Sequence, residues 1–514
     1  MTTNHYDIII IGTGAGGGTL LHKLASSGKK ILVIEKGGYI PKEKQNWDTE
    51  EVFIKGRYKT KESWYDKKGN AFVPGQHYCV GGNTKVYGAA LFRLREEDFG
   101  EIKHHDGISP AWPISYNDLK DYYQEAEELY HVNGERGTDP TEPAESRPYK
   151  HPAVEHEPRI QKLYDDLKEF GLKPFPLPVG LRKSDLKDAE LVLDRFDGYP
   201  DPTESKADAH VVGIKPNASK ENITIWTHCD VQHFETNETG NKISKVVLII
   251  NGKTHTATAD IYCLCAGAIN SAAILLKSKN DKHPNGLANG SDQVGRNYMC
   301  HNNTAMLALS VKPNPTIFGK TFAINDYYYS SDDFEYPLGH IQMLGKSDPV
   351  MFEEEAPSFA PGITLKYLAE HALDFWLTSE DLPDKNNRVE IKDGKLFLNY
   401  TENNLKGHKL LEKKLKYALE HAGCKSHLLP NHIYLGKKIP VAGVAHQCGT
   451  TVMGNDPKTS VLNTHCQSHE VDNLFVVDGG FFPSSAAVNP ALTIMAMALR
   501  VGDYINKEIF KSEV

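Results

Sequence analysis

A chain of 514 residues with 39% hydrophobic and 24% charged side chains has the composition of an ordinary globular protein and room for one large core or, more readily, two domains. Its net charge of −9 offers no basic surface for nucleic acid or an anionic membrane. No apolar run approaches the ~20 residues that span a bilayer. The N-terminus runs straight into a strand without a charged n-region or an apolar h-region, so the expected location is cytoplasmic. The 8 cysteines form no Cys-x-x-Cys pair and no ligand spacing, so no metal site is expected.

In chain order, Asp7 to Ile11 form an apolar run suited to a buried parallel strand. The turn Gly12-Thr-Gly14-Ala15-Gly-Gly17 follows, then a helix from about Gly14 to Ser27, then the strand Ile31 to Ile34, closed by Glu35. Each part has a task. Gly12 permits the tight turn, Gly14 lets the backbone approach a pyrophosphate, and Gly17 lets helix and strand pack together. The helix N-terminus offers unpaired N–H groups to phosphates. Glu35 can accept hydrogen bonds from both ribose hydroxyls, and its charge disfavours a 2′-phosphate. Strand, turn, helix, strand and acid therefore read as a dinucleotide site, which does not by itself choose between NAD and FAD.

Next comes a charged, turn-rich stretch from Lys42 to Asn70, then Gly81-Gly82-Asn83-Thr84. Paired glycines before polar residues suit either a plain turn or a backbone lying flat on a planar or anionic ligand. Ser115 caps an expected helix, with Asp118 three residues on and Leu119, Tyr122, Tyr123 and Ala126 along one face. Residues 138–205, rich in Pro, Lys and Asp, are expected to be irregular. Strands return at Ile223–Trp226, Ile243–Ile250 and Thr254–Cys265. Cys263 and Cys265 share one face of the last and read as core thiols. Ala266-Gly267 opens a second strand–glycine–helix junction.

Between 305 and 438 the composition turns to aromatics, Pro and alternating strands, at Thr316 to Tyr329 and Arg388 to Tyr400. This reads as a sheet-based domain inserted into the nucleotide-binding one. Tyr327, Tyr328, Tyr329, Phe375 and Trp376 could stack on a sugar ring, although aromatics in such an insert more often form core. The last segment carries His446-Gln-Cys448, the strand end Asp478-Gly479 and Asn489-Pro490. Asn489 suits an N-cap, Pro490 the first helical position, and Ala491 to Tyr504 a helix. On spacing alone His446 reads as one structural histidine among 23, and His465 and His469 as surface residues. Cys448 could line a pocket.

Together these stretches, with Val294-Gly-Arg-Asn297, resemble the glucose–methanol–choline (GMC) oxidoreductases over nearly the whole chain. The C-terminal block is most similar to the branch containing pyranose 2-oxidase and bacterial sugar or glycoside 3-oxidising enzymes. The resemblance implies an α/β (α+β overall) architecture. Residues 1–304 and 439–514 would form a Rossmann-like FAD-binding domain, and 305–438 an inserted antiparallel-sheet substrate domain. It implies FAD as cofactor, held by Gly12, Gly14, Ala15, Gly17, Glu35, Gly81, Gly82, Asn83, Thr84, Val231, Ala266, Gly267, Asp478, Gly479, Asn489 and Pro490. It implies His446 as catalytic base and Asn489 as its partner. Val86 stands where some members carry a histidine bonded covalently to the flavin, so non-covalent FAD is expected.

The implied reaction is oxidation of a CH–OH group to a carbonyl on a sugar, glycoside or polyol. His446 would take the proton, flavin N5 the hydride, and oxygen, a quinone or a protein the electrons. The alternatives are a flavoprotein subunit of a larger dehydrogenase complex, and a family member that does no net oxidation, such as a hydroxynitrile lyase.

Overall fold

The computed structural model describes residues 5–144, 146–182, 195–352, 362–421, 435–443 and 445–513. The N-terminal strand β1 (His5–Ile11) is buried from Ile8 to Ile11, and α1 (Ala15–Leu24) follows after a three-residue turn. β2 (Ile31–Ile34) returns parallel to β1. Helix α2 (Tyr116–Leu129) begins on a capping box between Ser115 and Asp118 and buries Leu119, Tyr123 and Ala126.

Within 138–205 the chain departs from the irregular structure expected. It forms α3 (Pro158–Glu169), with Pro158 in the first turn and Ile160, Leu163 and Leu167 buried. Those three apolar positions share one face. The surrounding Pro, Lys and Asp mask so sparse a stripe.

Four strands follow: β3 (Ile223–Trp226), β4 (Cys229–Thr236), β5 (Ile243–Ile250) and β6 (Lys253–Leu264). β6 serves two purposes. Its first half pairs antiparallel with β5, while Thr258 to Leu264 lie parallel to β1. The sheet runs β3-β2-β1-β6-β5-β4. Cys263 and Cys265 are buried thiols there, as core residues should be. Helix α4 (Ala268–Lys277) leaves the end of β6.

A second sheet is antiparallel and six-stranded. It contains β7 (Asn302–Leu309), β8 (Phe322–Ile324), β9 (His340–Met343), β10 (Ala372–Ser379) and, at its edges, the pair Phe175–Pro176 and residues 435–438. Of the long strand expected at Thr316–Tyr329, only Phe322–Ile324 pairs. The hairpin β11 (Arg388–Lys392) and β12 (Lys395–Asn399) leaves this sheet and joins Trp64–Asp66 in a separate one. Alternation along β10 sorts its side chains. Leu373, Phe375 and Leu377 pack with α3 and α5 (Leu405–His421) in an apolar layer. Asp374, Trp376 and Thr378 point the other way, and Thr378 bonds the Ala487 carbonyl at 2.6 Å.

The chain then returns to the first sheet. β13 (Leu474–Val476) lies parallel to β6, and α6 (Ala491–Tyr504) packs between α1 and α2. α6 is apolar on most of its circumference, with Leu492, Met495, Ala496 and Leu499 fully buried, as a central helix must be. Among the described residues no helix is long and apolar enough to cross a membrane.

Candidate active site

One cavity of about 940 Å³ joins residues from both ends of the chain, near the top of the range of about 300–1,000 Å³ for small-molecule sites. Gly12, Gly14, Ala15, Glu35, Gly82, Asn83, Thr84, Val231, Ala266, Gly267, His446, Asp478, Gly479, Asn489 and Pro490 all line it. Gly17 and Gly81 do not; they shape the wall from behind. A Cβ on Gly17 would overlap the Gly12 carbonyl, and Gly81 sits at φ +99° with its N–H on Thr13 Oγ1.

Three helix N-termini converge on the cavity: α1 after Gly14, α4 after Gly267 and α6 after Pro490. None has an acidic residue in its first turn, and none is capped by a side chain. Their dipoles and end N–H groups are left for a negatively charged or electron-rich ligand. The last helix spans Ala491–Tyr504 as expected, but its cap is Pro490 rather than Asn489. Asn489 does not cap it because its side chain is engaged elsewhere.

Glu35 is buried at the end of β2 and accepts bonds from Thr13 N, Thr13 Oγ1 and Gly37 N at 3.1, 2.6 and 3.0 Å. Burial pushes its carboxyl up from the usual carboxylate range, against those donors. Asp478 is likewise buried. Burial pushes it up to about 6, although Ser271 Oγ, Gly480 N and Gly267 N all donate to it. It thereby ties the tip of α4 to the segment after β13. Asn83 accepts the His77 N–H at 2.9 Å, and Thr84 Oγ1 donates to the Gly81 carbonyl while accepting the Ala209 N–H. Val86 lines the cavity as an aliphatic side chain with no bond-forming group.

At the inner end, Asn489 Nδ2 lies 3.2 Å from His446 Nε2. The His446 ring is parallel to Trp376, 5.3 Å between centroids at 10°. Its Nδ1 lies 3.0 Å from His301 Nδ1. Burial drives the His446 pKa well below 6.5, and the nearby charge of Lys320 lowers it further. The imidazole is therefore neutral at cellular pH and able to take a proton. Lys320 also lines this end, ion-paired with Asp197 at 2.8 Å.

Several expectations are corrected here. Cys448 is fully buried outside the cavity, its backbone paired with Met299. Of the aromatics considered for sugar stacking, only Trp376 reaches the cavity. Phe375 faces the apolar layer, and Tyr328 is buried against Asp98. His465 stacks on Tyr504 and His469 bonds Ser460. Sequence reasoning missed His301, Lys320 and Gly16. His301 follows Val294–Asn297 by four residues, but nothing local pairs it with His446. Gly16 carries a signal in hindsight: a Cβ there would overlap the Val477 carbonyl.

Comparison with known proteins supplies the family. GMC oxidoreductase models match residues 2–303 and 433–498. The chain belongs to the GMC oxidoreductase family. It is accordingly an FAD-binding enzyme that oxidises CH–OH groups. The chain is 27% identical over 525 residues to 6'''-hydroxyparomomycin C oxidase from Streptomyces lividus, covering 96% of this chain and 90% of that one. It is 24% identical to the fructose dehydrogenase large subunit of Gluconobacter japonicus, with 98% of each chain covered. Pyridoxine 4-oxidase from Mesorbium loti shares the fold, with a TM-score of 0.67 at 18% identity over 96% of this chain and 98% of that one.

The cavity suits FAD. Its open glycines, three uncapped helix ends and buried acid match a ligand with phosphates, a ribose and a flat ring that gains negative charge.

Proposed function

We propose that this GMC oxidoreductase oxidises a secondary or primary hydroxyl of a sugar, glycoside or polyol, with His446 as base and Asn489 as its partner. The observation that carries this reading is the His446–Asn489 contact at 3.2 Å in the same cavity as the nucleotide turn. When bound, the flavin supplies the acceptor for the carbinol hydride. The protein's own groups do the rest. His446 Nε2 takes the hydroxyl proton as the carbonyl forms. Asn489 holds the same oxygen and so aims the C–H bond, and being uncharged it leaves the neutral imidazole undisturbed.

A carbohydrate-like substrate is supported by the polar end of the cavity. Trp376 offers a flat apolar face, and the Lys320–Asp197 pair offers donors and acceptors for hydroxyls. Two relatives, named for an aminoglycoside and for fructose, point the same way. Gly12 to Ala15, Glu35, Gly81 to Thr84, Val231, Ala266-Gly267 and Asp478-Gly479 would hold FAD without a covalent bond, because Val86 has nothing to form one. Acid precipitation should then release all the flavin into the supernatant.

The test is anaerobic reduction of the flavin-loaded protein by a panel of sugars, glycosides, polyols and simple alcohols. Bleaching of the visible flavin band by at least one carbohydrate class is expected. Bleaching by simple alcohols alone would remove the carbohydrate assignment.

A further inference from the structure

The neighbour of His446 is itself a histidine, and the partners of the two rings constrain which nitrogen of each carries a proton. His301 is 3% exposed and held from several sides. Its backbone sits at φ +64°, a left-handed conformation uncommon for a non-glycine residue. Its N–H and that of Cys300 both donate to the buried carboxylate of Asp381 at 2.9 Å, and Asn303 Nδ2 donates to its carbonyl at 2.9 Å. Such a conformation persists only where the surroundings over-determine it. It aims the ring so that Nε2 meets the Ser485 main-chain carbonyl at 3.1 Å and Nδ1 meets His446 Nδ1 at 3.0 Å.

A main-chain carbonyl can only accept, so His301 Nε2 carries its hydrogen. In a neutral imidazole the other nitrogen then holds the lone pair. That lone pair faces His446 Nδ1, which must therefore be N–H. His446 Nε2 is left as the acceptor, the nitrogen that faces Asn489. The opposite chain would set His446 Nε2–H against the Asn489 amide N–H, donor against donor.

We propose that His301 is a positioning residue that locks His446 in the tautomer with the proton on Nδ1, keeping Nε2 free to take the substrate's hydroxyl proton. This rests on the reading of His446 as base. In the reaction the substrate O–H bond breaks and an N–H bond forms at His446 Nε2. The Nδ1–H remains donated to His301 throughout. No proton passes beyond His301, because its Nε2–H points at the Ser485 carbonyl, which has no proton-accepting nitrogen or carboxylate. His301 orients and does not relay. The arrangement follows the general rule that the hydrogen bond at one imidazole nitrogen sets the function of the other.

The experiment uses flavin-loaded protein labelled with 15N-histidine at neutral pH, with the His446 resonances identified by their loss in His446→Ala. Protonated Nδ1 and unprotonated Nε2 are expected in the wild type. A proton on Nε2 overturns the proposal with no variant needed. In His301→Leu that signature should mix or reverse, and anaerobic flavin reduction should slow by about ten- to a hundredfold. Substrate Kd should hold within about twofold, since the loss is in the reacting geometry. His301→Gln should restore both signature and most of the rate, because its amide can accept from His446 and donate to Ser485. A leucine variant with the wild-type signature and rate overturns the proposal while leaving His446 as base. Should the leucine variant fail to hold flavin, loss of the signature in the glutamine variant overturns it instead. An unimpaired His446→Ala would sink the parent reading rather than this one.

Discussion

His446 is a weak base by design of its surroundings: buried, stacked on Trp376 and near Lys320. Its lowered pKa fixes the direction of a pH effect. In the proposed role of base the reactive form is neutral, so the rate of flavin reduction should hold as pH falls through 6.5 and decline only at more acid values. A half-loss at or above 6.5 in the reduction rate would contradict this. Lys320→Met removes one positive neighbour and should move that acid limb upward. It also takes the ammonium partner from Asp197, which keeps the Gly345 N–H at 3.1 Å, so unfolding in urea should show a loss of about 1–3 kcal/mol. At this scale the sequence was partly readable. Glu35 followed from its place at a strand end. His446 and Asn489 followed only from family resemblance, since 43 residues separate them. His301 and Lys320 could not be found, because their roles depend on a left-handed backbone and on the path of the loop leading into β8.

Elements succeed or fail at their close contacts. The turn between β1 and α1 touches the C-terminal segment through Gly16, whose hydrogens face the Val477 carbonyl. Gly16→Ala would push α1 away from β13. We expect purified protein with much reduced flavin content, read from the visible-to-ultraviolet absorbance ratio, whereas Gly28→Ala, where nothing lies within 4 Å, should retain flavin and cost only backbone strain. The first element group was legible because its signal is local: an apolar run, then glycines, then a helical stripe. α2 was legible through Ser115 and Asp118. α3 was not, because three apolar residues among charged ones carry its register. The stretch Thr316–Tyr329 looked strand-like from its aromatics, yet only three residues pair, the remainder turning to cover the cavity floor with Lys320 and to bury Tyr328.

For the whole molecule, cofactor and fold should be coupled, since the cavity proposed to hold FAD lies among β1–α1, β6–α4 and the segment leading into α6. Ligand that binds only the native state stabilises it by mass action. At about a hundredfold excess of FAD over Kd the gain is about 2.7 kcal/mol. Thermal unfolding of the flavin-free protein should therefore occur at lower temperature and recover with added FAD; an FAD-independent midpoint would argue against this coupling.

The most direct test of the catalytic assignment is rapid anaerobic mixing of flavin-loaded wild type and His446→Ala with a sugar or polyol that reduces the wild type. The account predicts equal flavin content and reduction slower by about 10²–10⁴-fold in the variant. Reduction at the wild-type rate, with FAD still bound, contradicts it.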